Sequence, residues 1–385
     1  MSSNTQSIYL DYAAATPLDP SVLQKMQPFF ADDFYNPSAT YTKGIEARKA
    51  LDAARSLVAQ QLGVRSSEII FTAGGSEANN LAIHGIMRQY PESHIAFSAV
   101  EHESVVAPAQ RYSHSEIAVD TKGMVSVQSL VQSVTEKTVL VSIMHANNEV
   151  GTIQPLKDID VYVKKIRQQR LREGNSLPIY FHTDACQSGN YLGLHADRLG
   201  VDLLSINGSK LYGPKQTGAL YVKGGVVLQP VIDGGGQERS LRSGTENVPG
   251  VIGFAAALEM AQNMKNKELK RLQELQKLCM EELETALPNI VINGSRKHRL
   301  PNNIHITLPG LDNERLLIQL DEAGIMAAAG SACSASSDEP SHVLKAMGVS
   351  DADAQASLRF TLGRQSTEED IRRTVATLTA IVTQS

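Results

Sequence analysis

The chain has 385 residues, a formal net charge of −5, 42% apolar and 20% charged residues. Its length exceeds what one hydrophobic core usually supports, which predicts a large domain and a smaller one. The charge gives no general attraction to nucleic acid or anionic lipid, no apolar run is long enough to cross a bilayer, and residues 1–7 lack the regions of a signal peptide. A cytoplasmic protein without membrane or direct nucleic-acid contacts is therefore expected.

From Glu68 to Tyr221 short apolar runs alternate with helical patterns. Ile69 to Thr72, Ile95 to Ser98, Val139 to Met144, Ile179 to His182 and Leu203 to Ile206 read as buried strands. That alternation predicts an α/β layer with a mostly parallel sheet, whose ligands sit where strand ends meet helix N-termini. The basic cluster Lys164, Lys165, Arg167, Arg170 and Arg172 reads as a solvated helix face, since no aromatic residue is interleaved with it. Past Gly250 a long helical stretch runs to Pro288 with few breakers, long enough to bridge two domains. Strands near Val291, at Asn303 to Thr307 and at Ser357 to Leu362 follow, with helices near Glu314 to Glu322, near Pro340 to Met347 and from Thr367. The predicted division is a large domain over 11–258 and a small α+β domain formed by 1–10 and 259–385.

Polar residues just after the predicted strands are the candidates for chemistry. Phe71 to Glu77 follows a strand and opens a helix; the amides around Gly75 and the Ser76 hydroxyl suit a phosphate, although Ser76 as a simple helix cap fits equally well. His102, in Glu101-His102-Glu103-Ser104, stands where an imidazole can stack on a planar ligand and exchange protons, but a lone histidine is usually structural. In Met144 to Gly151 an amide such as Asn148 can donate to a phenolate oxygen, with turn formation as the alternative. Asp184, after the strand at Ile179, can keep a pyridine nitrogen protonated, and Lys210, beyond the next strand, is suited to a Schiff base. Phosphate loop, aspartate and lysine in this order point to a pyridoxal enzyme.

Cysteines number only Cys186, Cys279 and Cys333, too few for a disulfide framework and without metal-site spacing. Cys333 lies in Gly330 to Pro340, a run of small and polar residues that predicts a mobile loop and an accessible thiol able to ionise. Cys186 and Cys279 read as packing residues.

These segments together resemble the cysteine desulfurases of the NifS/IscS type, in the class-V aminotransferase group of fold-type I pyridoxal enzymes. The likeness includes Tyr9 to Ala14, Asn36-Pro37-Ser38, Gly234 to Glu238, Arg242 to Thr245 and Arg359 to Arg364. It implies pyridoxal 5'-phosphate linked to Lys210, paired with Asp184 at the ring nitrogen, stacked on His102, and facing Asn148 and Gln187 at the phenolate oxygen. Gly75, Ser76, Asn207 and Ser209 would surround the phosphate. Thr245 would reach the phosphate in a neighbouring subunit, so a homodimer with composite sites is expected. Arg359, helped by Asn36, would hold the carboxylate of L-cysteine. Cys333 would take the sulfur as a persulfide, leaving alanine, and pass it to an acceptor protein such as an iron-sulfur scaffold or a tRNA-thiolation enzyme.

Where the family pattern often has His before the lysine, this chain has Ser209, which can donate to phosphate but carries no charge. A selenocysteine lyase or another class-V enzyme remains open as an alternative, as does a regulatory relative that lost turnover.

Overall fold

The computed structural model describes residues 7–330 and 339–384. After a short strand β1 (Ile8–Tyr9), the chain forms β2 (Ile69–Thr72), β3 (His94–Ser98), β4 (Ser113–Ile117), β5 (Thr138–Ser142), β6 (Tyr180–Asp184), β7 (Leu203–Asn207) and β8 (Gly218–Val222). These last seven make one sheet in the order β2-β8-β7-β6-β5-β3-β4. Neighbours run parallel except β8, which is antiparallel to both β2 and β7.

Strand alternation sends successive side chains to opposite faces of this sheet. Phe71, Val141, Leu204 and Tyr221 enter one apolar core with Leu51, Val58 and Phe254. Ile70, Leu140, Leu203 and Leu220 enter the other with Leu81, Ile86 and Phe97. Both faces are thus covered, which is why the strands read as continuous apolar runs rather than alternating ones.

Two strands escape the sequence pattern. Ser113–Ile117 lies at the sheet edge with most of its residues wholly or partly exposed, and polar residues are what an exposed edge requires. Gly218–Val222 is the antiparallel return strand, buried throughout and inserted between β2 and β7.

A helix of 39 residues, Val248–Ala286, follows. Phe254, Leu258 and Ala261 on its first half pack in the core beside the sheet, while Leu272, Leu275, Cys279 and Leu283 on its second half join Leu10, Ile304, Ile306, Leu358, Phe360 and Leu378 in a separate core. That second core backs a small antiparallel sheet, ordered β12-β10-β9, of β9 (Val291–Ile292), β10 (Asn303–Thr307) and β12 (Ser357–Thr361). The remaining strand, β11 (Ile325–Met326), pairs parallel with β1, which ties the N-terminal residues to this part of the chain.

The expectation of a solvated basic face on the helix Leu156–Glu173 fails at two arginines. Arg170 is buried, and its guanidinium donates to the carbonyls of Thr135, Thr138, Leu177 and Pro178. Arg167 donates to the Ile179 carbonyl and pairs with Asp202. Both side chains satisfy carbonyls and a carboxylate around the β5 and β6 strand starts, a demand that composition does not reveal.

Three buried histidines make the fold acid-sensitive. Burial pushes His145 and His182 down to about 4 and His305 to about 3. His182 lies between the hydroxyls of Ser142 and Ser205, and His145 Nδ1 is buried without a partner. With each folded-state pKa below the unfolded value, the unfolded chain binds protons first. Their contribution is intact above about pH 6.5 and is lost as pH falls toward 4, by up to about 3 kcal/mol per ring. The urea midpoint is therefore expected to drop markedly between about pH 7.5 and pH 5; an unchanged midpoint would contradict neutral burial of these rings.

Candidate active site

The carboxyl ends of β2, β3, β5, β6 and β7 open on one edge of the sheet, and an open cavity lies there, about 360 Å³ with the adjoining solvent space counted in. Gly75, Ser76, His102, Asn148, Asp184, Gln187, Asn207 and Lys210 all line it. These are residues predicted from five separate loops, brought to one place by a common strand direction.

The helix Gly75–Gln89 starts at the wall. Its N-cap is Gly74, at φ 120°, and no side chain caps it. Ser76 is therefore a first-turn residue rather than the cap. Glu77, the acid in that turn, is engaged elsewhere: it accepts from Ala73 N at 3.0 Å and from Arg242 Nε at 2.8 Å. The uncapped amides and the helix dipole form a place for an anion. A side chain at Gly75 would meet Cys186 Sγ at 2.5 Å, so only glycine lets this turn lie against the strand β6 loop. Asn207 Oδ1, on the same wall, is buried without a hydrogen-bond partner.

Asp184 ends β6 with its carboxylate fully enclosed. Burial works to raise its pKa, but Cys186 N donates to Oδ1 at 2.8 Å and Asn79 Nδ2 to Oδ2 at 2.7 Å, and His102 stands near; the result is a pKa below the ordinary carboxylate value. A buried anion is thus kept on the cavity wall. Asn79, on the Gly75–Gln89 helix, was not predicted; it also donates to Ser104 Oγ at 2.9 Å. A buried asparagine about one turn into an otherwise apolar helix face would have been the signal.

His102 lines the cavity and also caps the helix Glu103–Ala109. Its Nδ1 accepts from Ser104 N at 3.0 Å, and an amide can only donate, so the neutral ring carries its proton on Nε2. Burial and the Lys210 charge hold its pKa below the usual histidine value.

At the β5 end the two readings of the asparagine pair divide between neighbours. Asn147 makes the turn, accepting from Glu149 N and Val150 N at 2.9 Å each, whereas Asn148 faces the cavity. Gln187 Nε2 donates to the Ala13 carbonyl at 3.1 Å. Lys210 follows β7, its main chain fixed by Asn190 Nδ2 donating to the Lys210 carbonyl at 2.6 Å.

Other predicted residues stand off this wall. The Ser209 carbonyl accepts from Thr16 N and Oγ1, both at 3.0 Å, and Ser209 does not line the cavity. Arg359 is 2% exposed on β12; it pairs with Asp11 at 2.7 Å and donates to the Asn148 carbonyl at 3.1 Å, while its Nε is buried without a partner. Asn36 is exposed and its Oδ1 accepts from Ser38 N at 2.8 Å. Thr245 is exposed and away from the cavity. Cys333 lies outside the described residues. The remaining thiols are buried, Cys186 raised well above its ordinary value by burial and Cys279 pushed up to about 12. Neither is reactive at neutral pH.

An uncapped helix end for an anion, a buried carboxylate, a neutral ring and an amine around one cavity fit pyridoxal phosphate. The comparisons agree. The aminotransferase class-V family profile matches residues 8–374. The cysteine desulfurase IscS of Dictyoglomus turgidum is 42% identical over 384 residues, 98% of this chain and 95% of that protein. The solved NifS-like protein of Rickettsia africae superposes with a TM-score of 0.87 at 32% identity, covering 98% of this chain and 100% of that one. A structure of SspA in complex with cysteine gives 0.78 at 34% identity, covering 92% and 99%. Among the described residues no helix is long and apolar enough to cross a membrane. The chain belongs to the class-V aminotransferase family, matching its pyridoxal-phosphate-dependent cysteine desulfurases over almost its whole length.

Proposed function

We propose that this cavity carries out cysteine desulfuration with Lys210 as the cofactor-linking and proton-carrying residue and Cys333 as the sulfur acceptor. The observation that carries the reading is the placement of Lys210 and Asp184 at adjacent strand ends on one wall, beside an uncapped helix N-terminus. Pyridoxal 5'-phosphate supplies an electron sink for the substrate's Cα.

The chain's own groups do the rest. Gly75, Ser76 and Asn207 would hold the phosphate, with the Ser209 hydroxyl, just before Lys210, as a further donor. Asp184 would hold a proton on the ring nitrogen, His102 would cover the ring face, and Asn148 and Gln187 would donate to the phenolate oxygen. Lys210 Nζ takes the Cα proton of L-cysteine and returns one to carbon. Arg359 binds the substrate carboxylate, with its unpartnered Nε available and its Asp11 pair exchanged for the substrate; Asn36 assists. The similar structure of SspA in complex with cysteine supports cysteine as the ligand.

The Cys333 thiolate attacks the substrate sulfur as the Cβ–S bond breaks. The sulfur leaves as a Cys333 persulfide, and the carbon skeleton gains protons to become alanine. L-cysteine and one thiol thus give L-alanine and one persulfide, with no external oxidant. The persulfide then passes to an acceptor, an iron-sulfur scaffold or a tRNA-thiolation enzyme, in the cytoplasm.

A homodimer completes the site. Leu23, Phe30, Phe34, Tyr41 and Ile45, which flank Asn36 in sequence, are 46–65% exposed, a concentration of exposed apolar side chains that suits a subunit contact. Thr245, exposed and off its own cavity, would serve the phosphate of a second copy. We take residues 11–258 as the cofactor domain and 1–10 with 259–385 as the domain that brings Cys333.

The test is alanine release from L-cysteine by the holoenzyme with a reductant, alongside the mass of the Cys333 peptide. Alanine together with one added sulfur on Cys333 is expected. Cofactor-bound protein yielding neither would overturn the reading.

A further inference from the structure

Glu149 follows the cavity residue Asn148 and is 1% exposed. Its main chain is fixed on both sides, the amide donating to Asn147 Oδ1 at 2.9 Å and the carbonyl accepting from Asn303 Nδ2 at 2.7 Å. A carboxyl buried this deeply is costly unless something uses it.

Two described stretches meet at that carboxyl, and they flank the segment bearing Cys333. Ser341 Oγ donates to Glu149 Oε2 at 2.5 Å. A Cβ at Gly330 would lie 3.2 Å from the same Oε2, so the backbone before the segment passes close beside it. Each flank has a second tie to the site. Ala328 pairs with Arg359 through N–H···O bonds of 2.6 and 3.2 Å, and His342 Nε2 meets the Glu101 carbonyl, next to His102, at 2.9 Å. Gly330 and Ser341 thus both lie at Glu149, the neighbour of the cavity residue Asn148, with Ser341 hydrogen-bonded to its carboxyl and Gly330 close beside it.

We propose that Glu149 is a positioning residue for sulfur transfer, its carboxyl fastening the Ser341 flank of the Cys333-bearing segment beside the Gly330 flank, next to the cofactor cavity. This rests on the reading that Cys333 receives the sulfur. Holding the Ser341 end close to the Gly330 end beside the cavity raises the local concentration of the thiol at the substrate sulfur, and small displacements there are expensive in rate. The grip needs an acceptor oxygen for the Ser341 hydroxyl. Burial, its largest influence, raises the Glu149 pKa, against the opposing effects of Ser341, His342 and Arg359. A neutral amide oxygen should therefore substitute for the carboxyl.

The test uses full-length holoenzyme carrying Glu149→Ala, Glu149→Gln, Ser341→Ala, the Glu149→Ala/Ser341→Ala double and, separately, Cys333→Ser. Both alanine single variants are expected to lower kcat for alanine formation about tenfold or more, with KM for cysteine and the cofactor spectrum unchanged. Glu149→Gln should stay within about threefold of wild type, and the double variant should be no slower than Glu149→Ala alone. Wild-type kcat in the alanine variants, a loss of cofactor absorbance that parallels the loss of rate, or a Gln variant as slow as Ala would each overturn the positioning role. Should Glu149→Ala not fold, Ser341→Ala, which removes only one hydroxyl, decides the matter. Full turnover by Cys333→Ser would sink the underlying sulfur-acceptor reading, and the proposal with it; an inactive Cys333→Ser beside a fully active Ser341→Ala would sink the positioning role alone.

Discussion

Lys210→Ala is expected to give a folded protein that lacks the bound cofactor's visible absorbance and forms alanine about 10⁴-fold more slowly, or not measurably. The fold should survive because the loop after β7 is built from its main chain. Asn190 holds the Lys210 carbonyl, Leu211 N and Gly213 N both donate to the Gly208 carbonyl, and Thr16 bridges Ser209 and Tyr212. None of these contacts uses the lysine side chain, which is itself only half-buried. The loss should therefore be specific to chemistry at Nζ. Lys215 is the control: it is exposed and does not line the cavity, and Lys215→Ala should keep both colour and rate. A Lys210→Ala enzyme that kept its absorbance and turned over cysteine would show that the amine had been misassigned.

What the sequence made legible was the set of strand ends, because strands buried on both faces are continuous apolar runs and the polar residues after them stand out. That is how Ser76, His102, Asn148, Asp184 and Lys210 are found before any coordinates. Polar residues inside elements were less visible. Asn79 sits on a helix face that otherwise packs into the sheet core, and its partnership with Asp184 depends on two elements meeting that the sequence separates by 105 positions. Arg170 looked like surface charge, since nothing in a basic run distinguishes the guanidinium that turns inward to four carbonyls. Arg359 and Asn36 are a different case: their expected roles came from resemblance, and in this single chain Arg359 is bound to Asp11 while Asn36 stabilises its own turn. On the role proposed for Arg359, a substrate carboxylate would have to compete with Asp11 for that guanidinium, which would make substrate binding an exchange of ion pairs rather than the filling of a vacant one.

Asp184→Asn separates charge from structure. Two donors, Cys186 N and Asn79 Nδ2, converge on the two carboxylate oxygens, and an amide offers only one acceptor atom. The neighbour can adapt, however. Asn79 Oδ1 is buried without a partner, so turning the Asn79 amide over presents that oxygen to the new NH₂ group, at the expense of the Asn79 bond to Ser104 Oγ, whose one proton faces His102 Nδ1 at 2.8 Å. The substitution should then cost no more than about 1–2 kcal/mol of stability. The negative charge is still lost, and with it the hold on a proton at the ring nitrogen. Alanine formation should fall roughly 10²–10³-fold, with cofactor bound and KM for cysteine little changed. Asn79→Leu supplies the complement: it keeps the charge but removes a hydrogen bond that lowers the Asp184 pKa, so the acid limb of the rate profile should move to higher pH. An Asp184→Asn enzyme of normal rate, or an Asn79→Leu profile that did not move, would mean that this buried carboxylate serves packing alone.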